Sequence, residues 1–385
     1  MNKKIALGQF YTPLTLSKEM VKLALELLGG DPDEAIELAA GEGNLIAELH
    51  KQAPFCKISA VDLDLENTKL LKKHDKEFKV YNADALMPLS FLGEEKFILG
   101  LGNPPFLSNI LVDNFIKEIL FKYLKLDFKI GSTVRAEYIF ICQYLSVLKN
   151  NGLLAIILPE SIISGSRSKK FRKGLLENWR VEKVLEIQGN PFEQTEAKTH
   201  ILFIRKTMPN KSNISVQRLN YLNKIEVLGD INIGLLQERM DFSFFINSMD
   251  YSKKRRLIDF AEVFRGKRSH KELKELNNPY LHTTNLNYIS HEKVKKIENN
   301  IIYASKGDVI MCRVGTRIVG KTIEYIGDSV EISDCLYIIK FKEDGIKKEF
   351  IDYINSSSGL LSLKAIAKGV CSRYITKKDL ENFLF

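Results

Sequence analysis

Ala35-Ile36-Glu37-Leu38-Ala39-Ala40-Gly41-Glu42-Gly43-Asn44 decides how the rest of the chain is read. Its first four residues read as a strand, and the segment from Ala39 turns through two glycines into a helix containing Leu45, Ile46 and Leu49. Strand, glycine loop and helix form the unit from which parallel sheets are built. Ahead of it, Leu16, Met20, Leu23 and Leu27 are spaced for a helix that starts near Thr15 or Ser17 and is ended by Gly29-Gly30-Asp31-Pro32.

The alternation continues downstream. Lys57-Ile58-Ser59-Ala60-Val61 reads as a second strand ending in Asp62-Leu63-Asp64, and a helix over 65–74 leads to a short third strand, Phe78-Lys79-Val80-Tyr81, followed by Asn82-Ala83-Asp84-Ala85. The apolar run Phe97-Ile98-Leu99-Gly100-Leu101 is a fourth strand, broken by Gly102. Helical stretches follow, the clearer over 137–149, then strands at 153–158, 184–187 and 200–204, with a basic helix over 169–178 among them. This pattern predicts an α/β fold: a doubly wound, seven-stranded Rossmann-like sheet with helices on both faces. Thr207-Met208-Pro209-Asn210-Lys211-Ser212-Asn213 reads as a linker or excursion, and Trp179, after a helix end, as core. Further on the pattern changes to short strands around glycines, at 308–314, 318–323 and 336–341, and then to helix from about residue 348. We therefore expect a first domain over 1–245 and a second, α+β domain over 246–385.

The chain has 385 residues, 45% hydrophobic and 27% charged, enough for two cores. A net charge of +9 favours a polyanionic partner. The cysteines at 56, 142, 312, 335 and 371 have no paired short spacing, and with six scattered histidines they offer no zinc pattern. No apolar core follows the basic Met1-Asn2-Lys3-Lys4, and no stretch approaches membrane-spanning length, so a soluble, cytoplasmic protein is expected.

A glycine loop, an acid at the end of the next strand and another after the third describe a nucleoside pocket at the carboxyl ends of parallel strands. Asp62 lies about twenty residues after the loop, the interval of a ribose-binding acid. Asp64 reads better as the cap of the following helix. Phosphates want spare N–H groups and no nearby anion, yet Glu37 and Glu42 flank this loop. A cofactor with a cationic amino group fits better, and S-adenosylmethionine carries one together with a sulfonium.

Asn103-Pro104-Pro105-Phe106 ends the fourth strand. Consecutive prolines fix φ and remove N–H donors, leaving a stiff corner that only accepts hydrogen bonds. An exocyclic amine on a planar ring has a delocalised lone pair. Acceptors on both its hydrogens, the Asn103 side-chain oxygen and the Pro104 carbonyl, would draw it toward tetrahedral geometry, while Phe106 stacks on the ring.

In their order, Gly8-Gln9-Phe10-Tyr11-Thr12-Pro13, Glu37-Leu38-Ala39-Ala40-Gly41-Glu42-Gly43, Val61-Asp62, Asn82-Ala83-Asp84 and Asn103-Pro104-Pro105-Phe106 resemble the motifs of the amino-terminal-cofactor (gamma) class of DNA adenine-N6 methyltransferases from restriction–modification systems. The resemblance covers roughly the first 205 residues. It implies a methyltransferase sheet and S-adenosylmethionine as cofactor, with Tyr11 and Thr12 closing over it, Glu37 at its methionine amino end within the loop of Ala39, Gly41 and Gly43, Asp62 on the ribose and Asp84 on the adenine amino group. It further implies that Asn103, which also belongs to the cofactor-binding set, holds a flipped target adenine together with Pro104 and Phe106, with Phe192 of the later Asn190-Pro191-Phe192 loop on its other face. The family often has Tyr where Phe106 stands, and a bulky residue where Ala85 stands. The apolar wall for the cofactor's adenine must then come from elsewhere, from Leu63 or Phe106.

Phe260-Ala261-Glu262-Val263-Phe264-Arg265-Gly266-Lys267, Lys306-Gly307-Asp308-Val309-Ile310 with Arg313-Val314-Gly315, and Ala367-Lys368-Gly369 leading to Ile375-Thr376-Lys377-Lys378-Asp379-Leu380 look like one target-recognition unit of a Type I specificity subunit. That resemblance implies double-stranded DNA as the partner. Lys253-Lys254-Arg255-Arg256 and Lys267-Arg268 are candidates for phosphates, and Arg313, Arg317 and Arg373 for bases or phosphates. With motifs beginning at Gly8 and no acid–lysine nuclease cluster downstream, any cognate restriction endonuclease is expected to be a separate protein, and the enzyme itself a monomer. The tetrapeptide alone also suits a methylase of an RNA base or a protein glutamine amide, and the fold alone a non-catalytic DNA-specificity protein.

Overall fold

The structure, a computed structural model, describes residues 11–75, 77–189, 198–210, 212–248, 255–276, 278–290, 298, 300–369 and 372–385. Gly8, Gln9, Phe10, Phe192, Lys253 and Lys254 lie outside them. The chain divides into two compact units, Met1–Phe242 and Ser243–Phe385.

The first unit is built on one sheet. Its strands are β1 (Glu34–Leu38), β2 (Lys57–Asp62), β3 (Lys79–Asn82), β4 (Phe97–Gly102), β5 (Leu148–Pro159), β6 (Arg180–Ile187), β7 (Thr199–Arg205), β8 (Asn213–Leu219) and β9 (Ile225–Asn232), in the order β9-β8-β6-β7-β5-β4-β1-β2-β3. β1 to β5 run parallel, β7 is antiparallel to both β5 and β6, and β8 returns parallel to β6. The seven expected strands are present and doubly wound. β8 and β9 extend them beyond the segment read as a linker, which is an excursion into a hairpin at the sheet edge. They escaped notice because β9 is largely half-exposed and carries little apolar signal.

β1, β4 and the stretch of β5 from Gly152 onward are almost wholly buried, so they read as continuous apolar runs rather than alternating ones. Helices α1 (Leu14–Leu28), α2 (Asn44–Gln52), α3 (Leu65–His74), α4 (Asn114–Leu124), α5 (Ala136–Val147) and α6 (Lys169–Asn178) complete the layers. α5 is buried on almost every side, as its all-round apolar sequence requires. Asp64 caps α3 by accepting the Glu66 N–H at 3.0 Å. Trp179 is half-buried, its indole N–H donating to the Tyr123 carbonyl.

In the second unit, β10 (Ala261–Arg265), β11 (Val309–Cys312), β12 (Thr322–Glu324) and β13 (Leu336–Phe341) form an antiparallel sheet in the order β10-β13-β11-β12. Alternation sorts its two faces. Val309, Met311, Tyr337 and Ile339 join a core with Phe350, Ile354 and Leu363 from the carboxyl-terminal helices, whereas Ile310, Cys312, Leu336 and Ile338 join another with Leu281, Val330 and Ile332. The unit is strand-rich and then helical, as expected.

Candidate active site

The sheet order reverses between β1 and β4, the point at which a doubly wound sheet opens a crevice at its carboxyl edge. A cavity of about 480 Å³ lies there. Glu37 at the end of β1, Asp62 at the end of β2, Asp84 after β3 and Asn103 after β4 all line it. So do Tyr11, Thr12, Ala39, Gly41 and Gly43.

The loop between β1 and α2 is held in a conformation few residues adopt. Ala39 has φ +57°, Gly41 +58° and Gly43 +82°. A Cβ on Gly41 would stand 2.8 Å from the Tyr11 ring, and one on Gly43 would stand 2.4 Å from Leu71 Cδ2. The two glycines therefore let Tyr11 lie on the loop and α3 pack behind it. Asp62 fixes the loop from the neighbouring strand. Its Oδ2 accepts the Gly41 N–H at 2.7 Å, and its Oδ1 accepts from the Asp64 N–H and the Asn67 amide.

Glu37 is only 3% exposed, and its Oε2 has no hydrogen-bond partner among the described residues. Burial drives its pKa well above the ordinary carboxylate range; the Ile46 N–H offsets part of this and the nearby Asp62 adds to it. A buried carboxylate in a cavity wall suits a cationic group, and an ammonium is the chemistry that fits. The acceptors Glu37, Asp62 and Asp84 along one wall, with the apolar Leu63, Leu65 and Ala85, suit a nucleoside bearing an amino-acid tail.

The segment carrying Tyr11 and Thr12 is tied to both loops. The Thr12 carbonyl accepts from the Asn44 amide at 2.8 Å, and its hydroxyl accepts from Asn103 Nδ2 at 3.1 Å. The second bond orients the Asn103 amide, making its oxygen the acceptor end. Asn103 and Pro105 reach the cavity, Pro104 is buried behind them, and Phe106 is partly buried against the core rather than in the cavity wall. Of the two alternatives for the apolar wall, Leu63 lines the cavity.

Three contributors went unread in the sequence. Asn44 anchors Thr12, Phe140 of α5 lines the cavity, and the Tyr144 hydroxyl contacts the backbone of β1 and β4. Asn44 looked like a turn residue, and both aromatics were indistinguishable from core in an apolar helix.

In the second unit, several candidate cations are paired. Arg268 bridges Glu331 and Glu298, Arg255 meets Glu349 and Arg256 meets Asp259, while Arg313 Nε donates to the Asp334 carbonyl and Arg373 to the Lys364 carbonyl. Arg317 and Lys267 are exposed. Among the described residues no helix is long and apolar enough to cross a membrane, and no group of three or more His, Cys, Asp or Glu is arranged to hold a metal ion.

Fold and site together define a doubly wound α/β protein whose switch-point crevice joins a nucleoside-type pocket to a proline-stiffened acceptor corner. The N-6 DNA Methylase family model matches residues 1–232, and the chain belongs to that family. Over 204 residues it is 26% identical to the Type II methyltransferase M.CvrRI of Paramecium bursaria Chlorella virus XZ-6E, covering 52% of this chain and 49% of that protein. Over 230 residues it is 24% identical to the Type I restriction enzyme MpnII methylase subunit of Mycoplasma pneumoniae, covering 54% and 42%. The chain thus spans about half the length of these curated relatives. Among solved structures, the type IIG restriction endonuclease BpuSI aligns with a TM-score of 0.55 at 16% identity, covering 98% of this chain and 59% of that one. That is a likeness of fold.

Proposed function

We propose that this protein is a site-specific DNA methyltransferase that uses S-adenosylmethionine to methylate N6 of an adenine rotated out of duplex DNA, as the modification component of a restriction–modification system. The observation that carries this reading is the shared cavity: Asn103 and Pro105 of the acceptor corner line the same space as Glu37, Asp62 and Asp84. The family membership supports the substrate class.

Glu37 would hold the ammonium of the cofactor, Asp62 its ribose hydroxyls and Asp84 its adenine amino group, with Tyr11 and Thr12 over them. The cofactor supplies a methyl group on a sulfonium, already activated for displacement. The chain's own work is alignment and electrostatics. The Asn103 oxygen and the Pro104 carbonyl accept from the target amine, which develops positive charge as it attacks, so these acceptors bind the transition state more tightly than the ground state. Phe192 is proposed to face the target base; Phe106, packed against the core, backs the acceptor corner instead of stacking on the base. No residue needs to form a covalent intermediate.

The second unit is the proposed DNA reader, with exposed Arg317 and Lys267 available to phosphates or base edges. Expression in a host lacking DNA methylation, followed by sequencing of modified bases, tests the proposal. N6-methyladenine at one recurring sequence is the expected result, and an unmodified genome with the protein present would overturn it.

A further inference from the structure

We infer that Tyr144 is a positioning residue for methyl transfer, its hydroxyl standing in for a missing rung between β1 and β4 and thereby setting the spacing between the cofactor loop and Asn103. The inference rests on the reading proposed above.

β1 and β4 pair in register at Ala35 with Leu99, Ile36 with Gly100 and Glu37 with Leu101, and there the pairing stops. Beyond this point the chains must part, one into the loop of Ala39 and Gly41, the other into the corner of Asn103. Parting leaves the Leu38 N–H and the Leu101 carbonyl facing a gap in the interior, where an unmet backbone group is costly. The fully buried Tyr144 of α5 fills it. Its oxygen accepts the Leu38 N–H at 2.7 Å, and its hydrogen goes to the Leu101 carbonyl at 2.5 Å, closer than the alternative Leu38 carbonyl at 3.3 Å. N–H to hydroxyl to carbonyl is a sheet rung with one oxygen inserted.

The surrounding sequence is shaped to admit this group. Gly100 and Gly102 lie on one face of β4; a Cβ on the first would stand 2.8 Å from the Tyr144 ring and on the second 2.5 Å from its hydroxyl. Phenylalanine would fill the same slot, so packing alone does not explain the hydroxyl. Leu38 immediately precedes Ala39, which sits at φ +57°, and Leu101 is two residues from Asn103. One oxygen therefore touches the roots of both loops whose separation sets the distance between methyl donor and acceptor. Misplacement by about 1 Å costs on the order of a hundredfold in rate.

The test compares Tyr144→Phe, Gly102→Ala and Tyr138→Phe. The Tyr138 hydroxyl makes an equally buried hydrogen bond, to Ser168 at 2.8 Å, and lines no part of the cavity. In Tyr144→Phe, single-turnover methyl transfer at saturating cofactor and DNA should fall about tenfold or more, while cofactor affinity changes less than about threefold. Gly102→Ala, which displaces the hydroxyl, should show the same split, and Tyr138→Phe should transfer at the wild-type rate. Hydrogen exchange at the Leu38 amide should accelerate in Tyr144→Phe and stay at the wild-type rate in Tyr138→Phe. A Tyr144→Phe enzyme with wild-type transfer, or with Leu38 still protected, overturns the inference. Should the wild-type protein transfer no methyl group to DNA, the proposed function fails, and the Leu38 exchange still decides the role of Tyr144.

Discussion

Glu37 and Asn103 divide the proposed labour between them, and each makes a separable prediction. In the proposed reading Asn103 faces the target, so Asn103→Ala should lower kcat/KM for methyl transfer by about a hundredfold or more while leaving cofactor affinity within a few-fold. Equal losses in rate and cofactor affinity would place Asn103 on the cofactor instead. Glu37 lines the cavity proposed for the cofactor, and its burial carries a sign. A carboxyl whose pKa is raised in the fold contributes stability that is full below its unfolded value and is lost as pH rises through the folded one. Glu37→Gln should therefore raise the midpoint of thermal unfolding at neutral pH even as it weakens S-adenosylmethionine binding. In the wild type, binding an ammonium favours the charged carboxylate. Cofactor affinity measured by calorimetric titration should thus rise with pH, and Glu37→Gln should flatten that slope. These residues were legible because acids interrupt strands that are otherwise apolar: Glu37 stands within Ala35-Ile36-Glu37-Leu38, and a charge in a buried strand needs a reason. Tyr144 was not legible, because α5 is apolar all round and nothing in its sequence separates a hydroxyl that bridges strands from one that merely packs.

At the scale of elements, the site depends on how β1 hands over to α2. Gly43, at the amino end of α2, combines φ +82° with a Cβ position 2.4 Å from Leu71, so Gly43→Ala should cost about 1–3 kcal/mol, read as a lower midpoint in urea unfolding. Along the same carboxyl edge, beside β5, β6 and β7, the sheet carries a cluster of buried charge. Arg239 pairs with Asp241 at 2.7 Å and lies near Glu160, while His200 sits between Glu160 and Glu186, and Lys198 bridges Glu186 at 2.9 Å. Burial pushes the pKa of Asp241 up, but the Arg239 guanidinium together with the Lys198 ammonium outweighs it and holds the group below its ordinary value. Arg239→Ala removes the guanidinium paired with that buried carboxylate, leaving only the more distant Lys198 charge, and should destabilise the first unit by about 3–5 kcal/mol. Little of this network could be read in advance. Its members come from separate strand ends that only the fold assembles. The hairpin of β8 and β9 was missed for the opposite reason, since an edge strand with few buried side chains has too weak a period to be seen.

For the molecule as a whole, the division of roles between the units is the open proposition. If the second unit reads DNA through cations such as Arg317, then Arg317→Ala should weaken binding to duplex and reduce its salt dependence, because each phosphate left without its cation takes about one unit from the slope of log affinity against log salt. An unchanged slope would remove Arg317 from the interface. In the first unit the motifs from Glu37 to Phe106 were legible in order, because each lies at a strand end where the sheet must turn. The second unit gave only its strand-then-helix pattern, and most of its candidate cations proved to be partnered within the unit, with Arg268 between two glutamates the clearest case. Charge runs in sequence carry no record of what lies across from them.

The central claim is that an acceptor corner on β4 and a cofactor pocket on β1 to β3 act on one adenine, and transfer of labelled methyl from S-adenosylmethionine to a mixed-sequence duplex tests it most directly. After digestion to nucleosides, the account predicts label in N6-methyldeoxyadenosine from the wild-type protein and none from Asn103→Ala. Label in a methylated cytosine, no label in DNA at all, or undiminished label from Asn103→Ala would contradict it.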